Sequence, residues 1–199
     1  MAVEKDYLNR LTGGIDDFIT GIPEEEQVKL HKLIKSVSVK KDDYFLKAGE
    51  IPNRIGFVVS GLLRLFYIDS SGMEINKYFC LENSLAISYS AFLLREESKL
   101  YIQALEDSDL YVIDYKAYNQ LIKSHHCWEI AARKLAEMLF IIKEKKEAAL
   151  LLNSAQERYL TFLKDYPHLE KRINQYHIAS YLGITPESLS RIRSNLRQK

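Results

Sequence analysis

The chain has 199 residues, 28 Lys or Arg against 27 Asp or Glu, and a formal net charge of +1. That length holds one medium domain and a small one, and its 47% hydrophobic fraction excludes a disordered chain. The charged start MAVEKDYLNR lacks the apolar run of a signal peptide, and no stretch nears the roughly 18 apolar residues of a membrane span, so a cytoplasmic location with no membrane partner is expected. Cys80 and Cys127 stand in no metal-ligand spacing, give no support to zinc, iron–sulfur or a disulfide framework, and read as two buried thiols.

Taken in chain order, residues 1 to about 35 read as helical, first with Phe18, Ile19 and Ile22 before Pro23, then in EEEQVKLHKLIKS with Val28, Leu30, Leu33 and Ile34 at helical spacing. From Val37 the period shortens. The runs VSV, YFLKAGE, IGFVVSG, LLRLFYI, INKYFC, SLAIS, KLYIQAL and DLYVID are rich in Val, Ile, Tyr and Phe and are separated by turn residues. Evenly spaced short strands of this kind predict an all-β barrel or jelly roll. DSSG at 69–72 predicts a β-hairpin, and Gly61 a sharp reversal.

After Tyr118 the helical period returns. Trp128, Ala131, Leu135, Met138, Ile142, Ala149 and Leu152 form a coiled-coil-like seam, broken only by Lys145, that predicts a long helix pairing with its copy in a homodimer. Asn153 and Ser154 can cap a following helix, AQERYLTFLKDY, that stops before Pro167. Thirteen tyrosines are many, but in strands they read as half-buried packing residues rather than stacking platforms.

The last thirty residues carry the chemistry. From Lys171 to Lys199, six basic residues, Lys171, Arg172, Arg191, Arg193, Arg197 and Lys199, meet one acid, Glu187, so the small net charge hides a positive end that fits a nucleic-acid footprint. In QYHIASYLGITPESLSRIRS, counted from Gln175, apolar residues Ile178, Leu182, Ile184, Leu189 and Ile192 fall where a helix-turn-helix packs. Ala179 stands at the fifth position, where the helices cross closely, and Gly183 at the ninth, in the turn. Thr185 can cap a second helix that begins at Pro186. With Leu189, Ile192 and Leu196 turned inward, Glu187, Ser190, Arg191 and Ser194 project outward, and Arg and Glu are residue types that read guanine and cytosine edges.

The chain from about Ile15 to Leu196 resembles the Crp-Fnr family of bacterial transcription regulators, through FVVSGLLRLFY, DSSGMEI, the long helix and ESLSR, which is similar to the E-x-x-S-R pattern of the Fnr branch. The resemblance implies an α+β chain with an N-terminal double-stranded β-helix (jelly-roll, cyclic-nucleotide-binding-like) sensor domain at 1–124, a dimerisation helix at 125–152, and a small helix-turn-helix domain at 153–199 that lacks a C-terminal wing. It implies base contacts from Glu187, Ser190 and Arg191. Phosphate contacts are expected from Lys171, Arg172, Thr185, Arg193, Arg197 and Lys199. The partners are then double-stranded DNA with a two-fold-symmetric site, a second copy of the chain, and RNA polymerase as a candidate. Cyclic-nucleotide binders of the family carry Gly-Glu for the ribose and Arg-Ser/Thr-Ala for the phosphate. Here the matching effector-pocket stretches are Ala86-Ile87 and Ser98-Lys99-Leu100, so control by cyclic AMP is not expected and the effector is another small molecule or none.

No N-terminal cysteine cluster announces an oxygen-sensing iron–sulfur centre, and no cofactor is expected. His125, His126 and Cys127 diverge by about 100° each on a helix and do not converge on a metal. Neither a phosphate-binding Gly loop nor a G-x-S-x-G elbow is present, so the chain does not read as an enzyme. The rival reading is a ligand-binding or protein-interaction β-roll whose helical domain is vestigial.

Overall fold

A computed structural model describes residues 21–197, so the first expected helix around Phe18 and the end of the chain at Lys199 lie outside the described residues. The EEEQVKLHKL segment forms α1 (Glu24–Leu33). Eight strands follow: β1 (Lys35–Val39), β2 (Tyr44–Leu46), β3 (Arg54–Ser60), β4 (Leu63–Ile68), β5 (Glu74–Cys80), β6 (Leu85–Ala86), β7 (Tyr101–Ala104) and β8 (Ser108–Asp114), with a short α2 (Tyr89–Leu94) between β6 and β7. They make two four-stranded sheets, β1-β8-β3-β6 and β2-β7-β4-β5, whose order draws strands from both ends of the segment. In the first sheet β8 pairs antiparallel with β1 from Lys35↔Val112 to Val39↔Ser108, and with β3 from Arg54↔Asp114 to Val58↔Leu110 before a bulge.

Apolar strand residues fill the roll. Leu62, Leu63, Phe66, Phe79, Phe92, Ile102 and Leu110 are fully buried, and Phe92 of α2 meets Tyr115 and Tyr118 edge-on at 5.2 and 5.3 Å. Gly61 makes the reversal between β3 and β4 at φ +97, and an added Cβ would lie 2.3 Å from Ser108 Oγ and 2.6 Å from the Asp107 carbonyl. Only glycine fits that corner. At the 69–72 hairpin the Asp69 carboxylate accepts from the Ser71 and Met73 N–H groups at 2.8 and 3.0 Å. The Ser71 hydroxyl, which donates to it at 2.6 Å, and then these N–H groups hold it below the usual carboxylate range. Cys80 is buried, its thiol pushed up to about 12 by that burial and donating to the Leu85 carbonyl at 3.1 Å. Cys127 is half-exposed rather than buried.

The roll leads into α3 (Tyr115–Ser124), capped by Asp114 on the Ala117 N–H, and then α4 (His126–Leu152), 27 residues long. The foot of α4 is pinned by one carboxylate. Glu26 of α1 accepts from Trp128 Nε1 at 2.7 Å and Ser124 Oγ at 2.9 Å and pairs with Lys29, beside the apolar cluster of Ile22, Leu121 and Trp128. His125 and His126 are engaged locally: His125 Nδ1 accepts the Cys127 N–H at 3.1 Å, and His126 Nδ1 lies 2.9 Å from Glu129.

Beyond α4 come α5 (Ala155–Asp165), a 3₁₀ turn (Leu169–Lys171), α6 (Gln175–Leu182) and α7 (Pro186–Arg197). Ser154 and Glu157 form a reciprocal capping box at the start of α5. Phe162, Tyr166 and Tyr181 pack with ring centroids 5.4 to 5.7 Å apart, so these tyrosines are packing residues. The chain divides into two compact units, Met1–Leu65 with Phe79–Met138, and Phe66–Tyr78 with Leu139–Lys199. The β4–β5 hairpin thus groups with the C-terminal helices. Among the described residues no helix is long and apolar enough to cross a membrane.

Hydrogen bonds from Lys29 and then Trp128, opposed by burial, hold Glu26 down to about 2. An unfolded Glu titrates near ~4.3, so its contribution to stability is complete above that value and is lost as pH falls through about 2. Urea unfolding followed by fluorescence of Trp128, the one tryptophan, should find wild type more stable than Glu26→Gln at pH 6, with the difference shrinking between pH 4.5 and 2.

Candidate nucleic-acid interface

Local sequence builds the α6–α7 pair. Asn174 caps α6, its side chain accepting the Tyr176 N–H at 2.9 Å, and Ile178, Ala179 and Leu182 are buried along one face. Gly183 ends the helix at φ 67, and two bonds close the turn: its N–H to the Ser180 carbonyl at 3.2 Å, and the Ile184 N–H to the Ala179 carbonyl at 3.0 Å. This is the double bond pattern of a glycine-terminated helix. Arg158 of α5 donates to the Leu182 carbonyl at 3.1 Å and so satisfies another terminal acceptor. Thr185 then caps α7, with Oγ1 accepting the Ser188 N–H at 3.2 Å.

On α7, Leu189 is fully buried and Ile192 and Leu196 are half-buried, while Glu187, Ser190, Arg191, Ser194 and Arg197 are exposed. The structure therefore brings Glu187, Ser190 and Arg191 onto one open face at the N-terminal half of the helix. Glu187 is held below the usual carboxylate range by its own N–H, by the Thr185 hydroxyl and, least, by the charge of Arg191, so it is an acceptor at neutral pH. Arg191 Nη2 donates to Ser188 Oγ at 3.3 Å, and Ser188 Oγ lies 3.2 Å from Thr185 Oγ1. A chain of hydroxyls thus aims the guanidinium. Ser188 is a residue that sequence reasoning missed, because its i, i+3 relation to both Thr185 and Arg191 has no signature beyond the cap.

The expected phosphate contacts divide. Lys171 and Arg197 are exposed, Arg172 is half-buried, and Thr185 is exposed with its hydroxyl occupied by the cap. Arg193 turns the other way: its side chain is 20% exposed and lies 3.6 Å from Glu170, which also accepts from the Tyr159 hydroxyl at 2.9 Å. Four residues after Leu189, it stands on the inward stripe, where a paired charge rather than a free one is required.

The five expected effector-pocket residues do not converge on a charged site. Ala86, Ile87, Ser98 and Leu100 are buried, and Lys99 is exposed. Ser98 Oγ donates to Ser88 Oγ at 2.9 Å and accepts the Leu100 N–H at 3.0 Å, while its main chain is bonded to Gly49 and Glu50. Two buried hydroxyls therefore satisfy each other where an anion would need a cation. A cleft of about 340 Å³ lies alongside, lined by Phe45, Glu50, Asn53, Arg54, Ser88 and Ile102 among others, and by none of the five.

Residues 36–125 match the cyclic nucleotide-binding domain family, which sets the class of the β-roll. Solved structures share the fold. FixK2 from Bradyrhizobium japonicum is 20% identical, with a TM-score of 0.70 over 83% of this chain and 85% of its own. The catabolite activator protein of Thermus thermophilus is 21% identical, with a TM-score of 0.58 over 91% and 86%. A transcriptional regulator assigned to the Crp/Fnr family from Eubacterium rectale is 19% identical, with a TM-score of 0.69 over 89% and 85%. Among curated proteins compared by sequence, none matches.

Gly183→Ala should destabilise the C-terminal unit by about 1 to 2 kcal/mol, since an L residue is strained in the left-handed region. Urea unfolding checks this.

Proposed function

We propose that the chain is a sequence-specific DNA-binding transcription regulator of the Crp-Fnr type, with a sensor domain at 1–124, a dimerisation helix at 125–152 and a helix-turn-helix domain at 153–199. It is not an enzyme; it works in the cytoplasm as a homodimer on two-fold-symmetric DNA. One observation carries the reading: Glu187, Ser190 and Arg191 stand together on the open face of a helix whose other face packs through buried Leu189 and half-buried Ile192 and Leu196. An exposed Arg and an ionised Glu on the leading turns supply the donor and acceptor that base edges in the major groove require. Lys171 and Arg197 flank that face as phosphate contacts, with Arg172 beside them. Arg193, held by Glu170, is left out of the set.

The paired hydroxyls of Ser88 and Ser98, with Lys99 turned outward, support independence from cyclic AMP, because the five expected positions offer a buried phosphate no charge-assisted partner, and the nearby Arg54 guanidinium is engaged by the Phe45 carbonyl and ring. A vestigial helical domain is disfavoured by the capping of α5, α6 and α7. Selection of bound sites from random duplex DNA tests the function. Recovery of a palindrome with half-sites about one helical turn apart is expected, and recovery of no sequence preference overturns it.

The two classes of basic residue should fail differently. Arg191→Ala should cost about 1 to 3 kcal/mol on the selected site and relax preference at one base pair per half-site. Arg197→Ala should weaken all duplexes alike and lower the salt slope by about 1, read from binding isotherms at several salt concentrations.

Support for the dimer comes from the apolar residues α4 leaves uncovered. Leu135 and Ile142, prominent in the sequence-read seam, are half-buried within the single chain. Phe140 is 63% exposed and Ile141 48%, with Ile130 and Leu151 also open. Phe140→Glu with Ile141→Glu should give monomers by analytical ultracentrifugation at micromolar concentration, where wild type sediments as a dimer.

A further inference from the structure

Strand β5 ends the sheet order β2-β7-β4-β5, so one of its edges has no strand neighbour. Such an edge carries main-chain donors and acceptors that need partners. Here the partner is the helix before the reading helix. Ser180 Oγ of α6 donates to the Glu74 carbonyl at 2.7 Å and accepts the Asn76 N–H at 3.0 Å, taking the two main-chain groups a further strand would have paired. Asn76 reciprocates, its Nδ2 donating to the His177 carbonyl of α6 at 3.2 Å. Lys146 of α4 adds a third tie: Nζ donates to the Lys77 carbonyl at 2.6 Å and lies 3.7 Å from the centroid of the Tyr181 ring. Tyr78 stacks edge-on against Tyr166 at 6.1 Å.

We propose that Ser180 and Asn76 are positioning residues for DNA reading: they key α6 onto the β5 edge, and α6 in turn holds α7 at a fixed angle. This rests on the DNA-reading assignment of α7. Alpha-helix pairs of this kind move as a unit, and α7 packs directly on α6, so seating one orients both. In the seated arrangement Glu187, Ser190, Arg191 and Ser194 remain exposed. The seat therefore belongs to a reading-competent pose, and losing it lowers affinity rather than raising it.

The keying is by side chain to main chain in both directions, which fixes register along the strand as well as contact. Moving α6 by one strand residue would set Ser180 against a residue whose main-chain groups point to the opposite edge, and would break both bonds. The fit is also incomplete. Asn76 is buried, and its Oδ1 has no hydrogen-bond partner. A buried acceptor without a donor weakens the seated state relative to an open one, in which water reaches that oxygen. Such a joint is held in register without being locked.

The test compares wild type with Ser180→Ala, Asn76→Ala, the double variant and Ser180→Thr in the full chain. Amide hydrogen exchange is read at Asn76, and affinity on the site selected from random DNA. Ser180→Ala should speed exchange at the Asn76 N–H at least several-fold and weaken specific binding about 3- to 10-fold, the usual effect of losing one or two hydrogen bonds. Exchange at Leu189 should not change, since the helix pair itself stays folded. The double variant should be little worse than the poorer single one, because both remove the same seat. Ser180→Thr, which keeps the hydroxyl, should restore both readouts. Unchanged exchange at Asn76 in Ser180→Ala overturns the seat. Faster exchange with unaltered affinity overturns its role in reading. Wild type that selects no DNA sequence defeats the assignment of α7 itself, and is told apart because it needs no variant to see.

Discussion

The carboxylate of Glu26 is the tie on which the helical end of the roll depends. It joins three helices at once: its own α1, the end of α3 through Ser124, and the first turn of α4 through Trp128. A buried carboxylate is costly unless its lone pairs are filled, and here a cation, an indole N–H and a hydroxyl fill them. Trp128 is the only residue of α4 that is fully buried. The long helix is therefore rooted at one point and carries half-buried and open apolar residues along the rest of its length.

Charge is placed differently in the roll and on α7. At the five positions expected from the sequence to line an effector pocket, the Ser98 hydroxyl has closed on that of Ser88 and the one cation among the five, Lys99, faces out. On α7, by contrast, charge is kept exposed and aimed. Thr185, Ser188 and Arg191 lie three residues apart along one line of the helix, so a single cap both starts the helix and orients its guanidinium. The same helix turns Arg193 inward to Glu170. Neighbouring arginines two residues apart thus do opposite jobs, one open to solvent and one tied to its own domain.

Much of this was legible in the sequence. Each of the eight short runs from VSV to DLYVID contains a strand, because β-branched and aromatic residues alternate with Gly, Asn, Asp and Ser at the turns, and those signals are local. The boundaries of α6 and α7 were legible for the same reason: Gly183, Thr185 and Pro186 act within a few residues of themselves. What could not be read depends on distance. Ser180 and Asn76 are 104 residues apart in the chain, and neither is unusual in its own segment. Arg193 looks like any surface arginine until Glu170 is placed beside it. In α4 apolar residues recur on more than one face, so periodicity predicted a seam at Leu135 and Ile142 while the structure leaves Phe140 and Ile141 open. Periodicity names the faces of a helix but not which of them its own chain will cover.

The two thiols have a practical corollary. Cys80 is sealed in the roll, with burial holding its proton on up to about 12. Cys127 is half-exposed, and it sits next to Trp128 at the foot of α4. An alkylating reagent meets one accessible thiol per chain. A dye attached there, with no engineered cysteine, has the protein's sole indole as its immediate neighbour, so quenching between the two becomes an intrinsic gauge of whether the long helix keeps its footing.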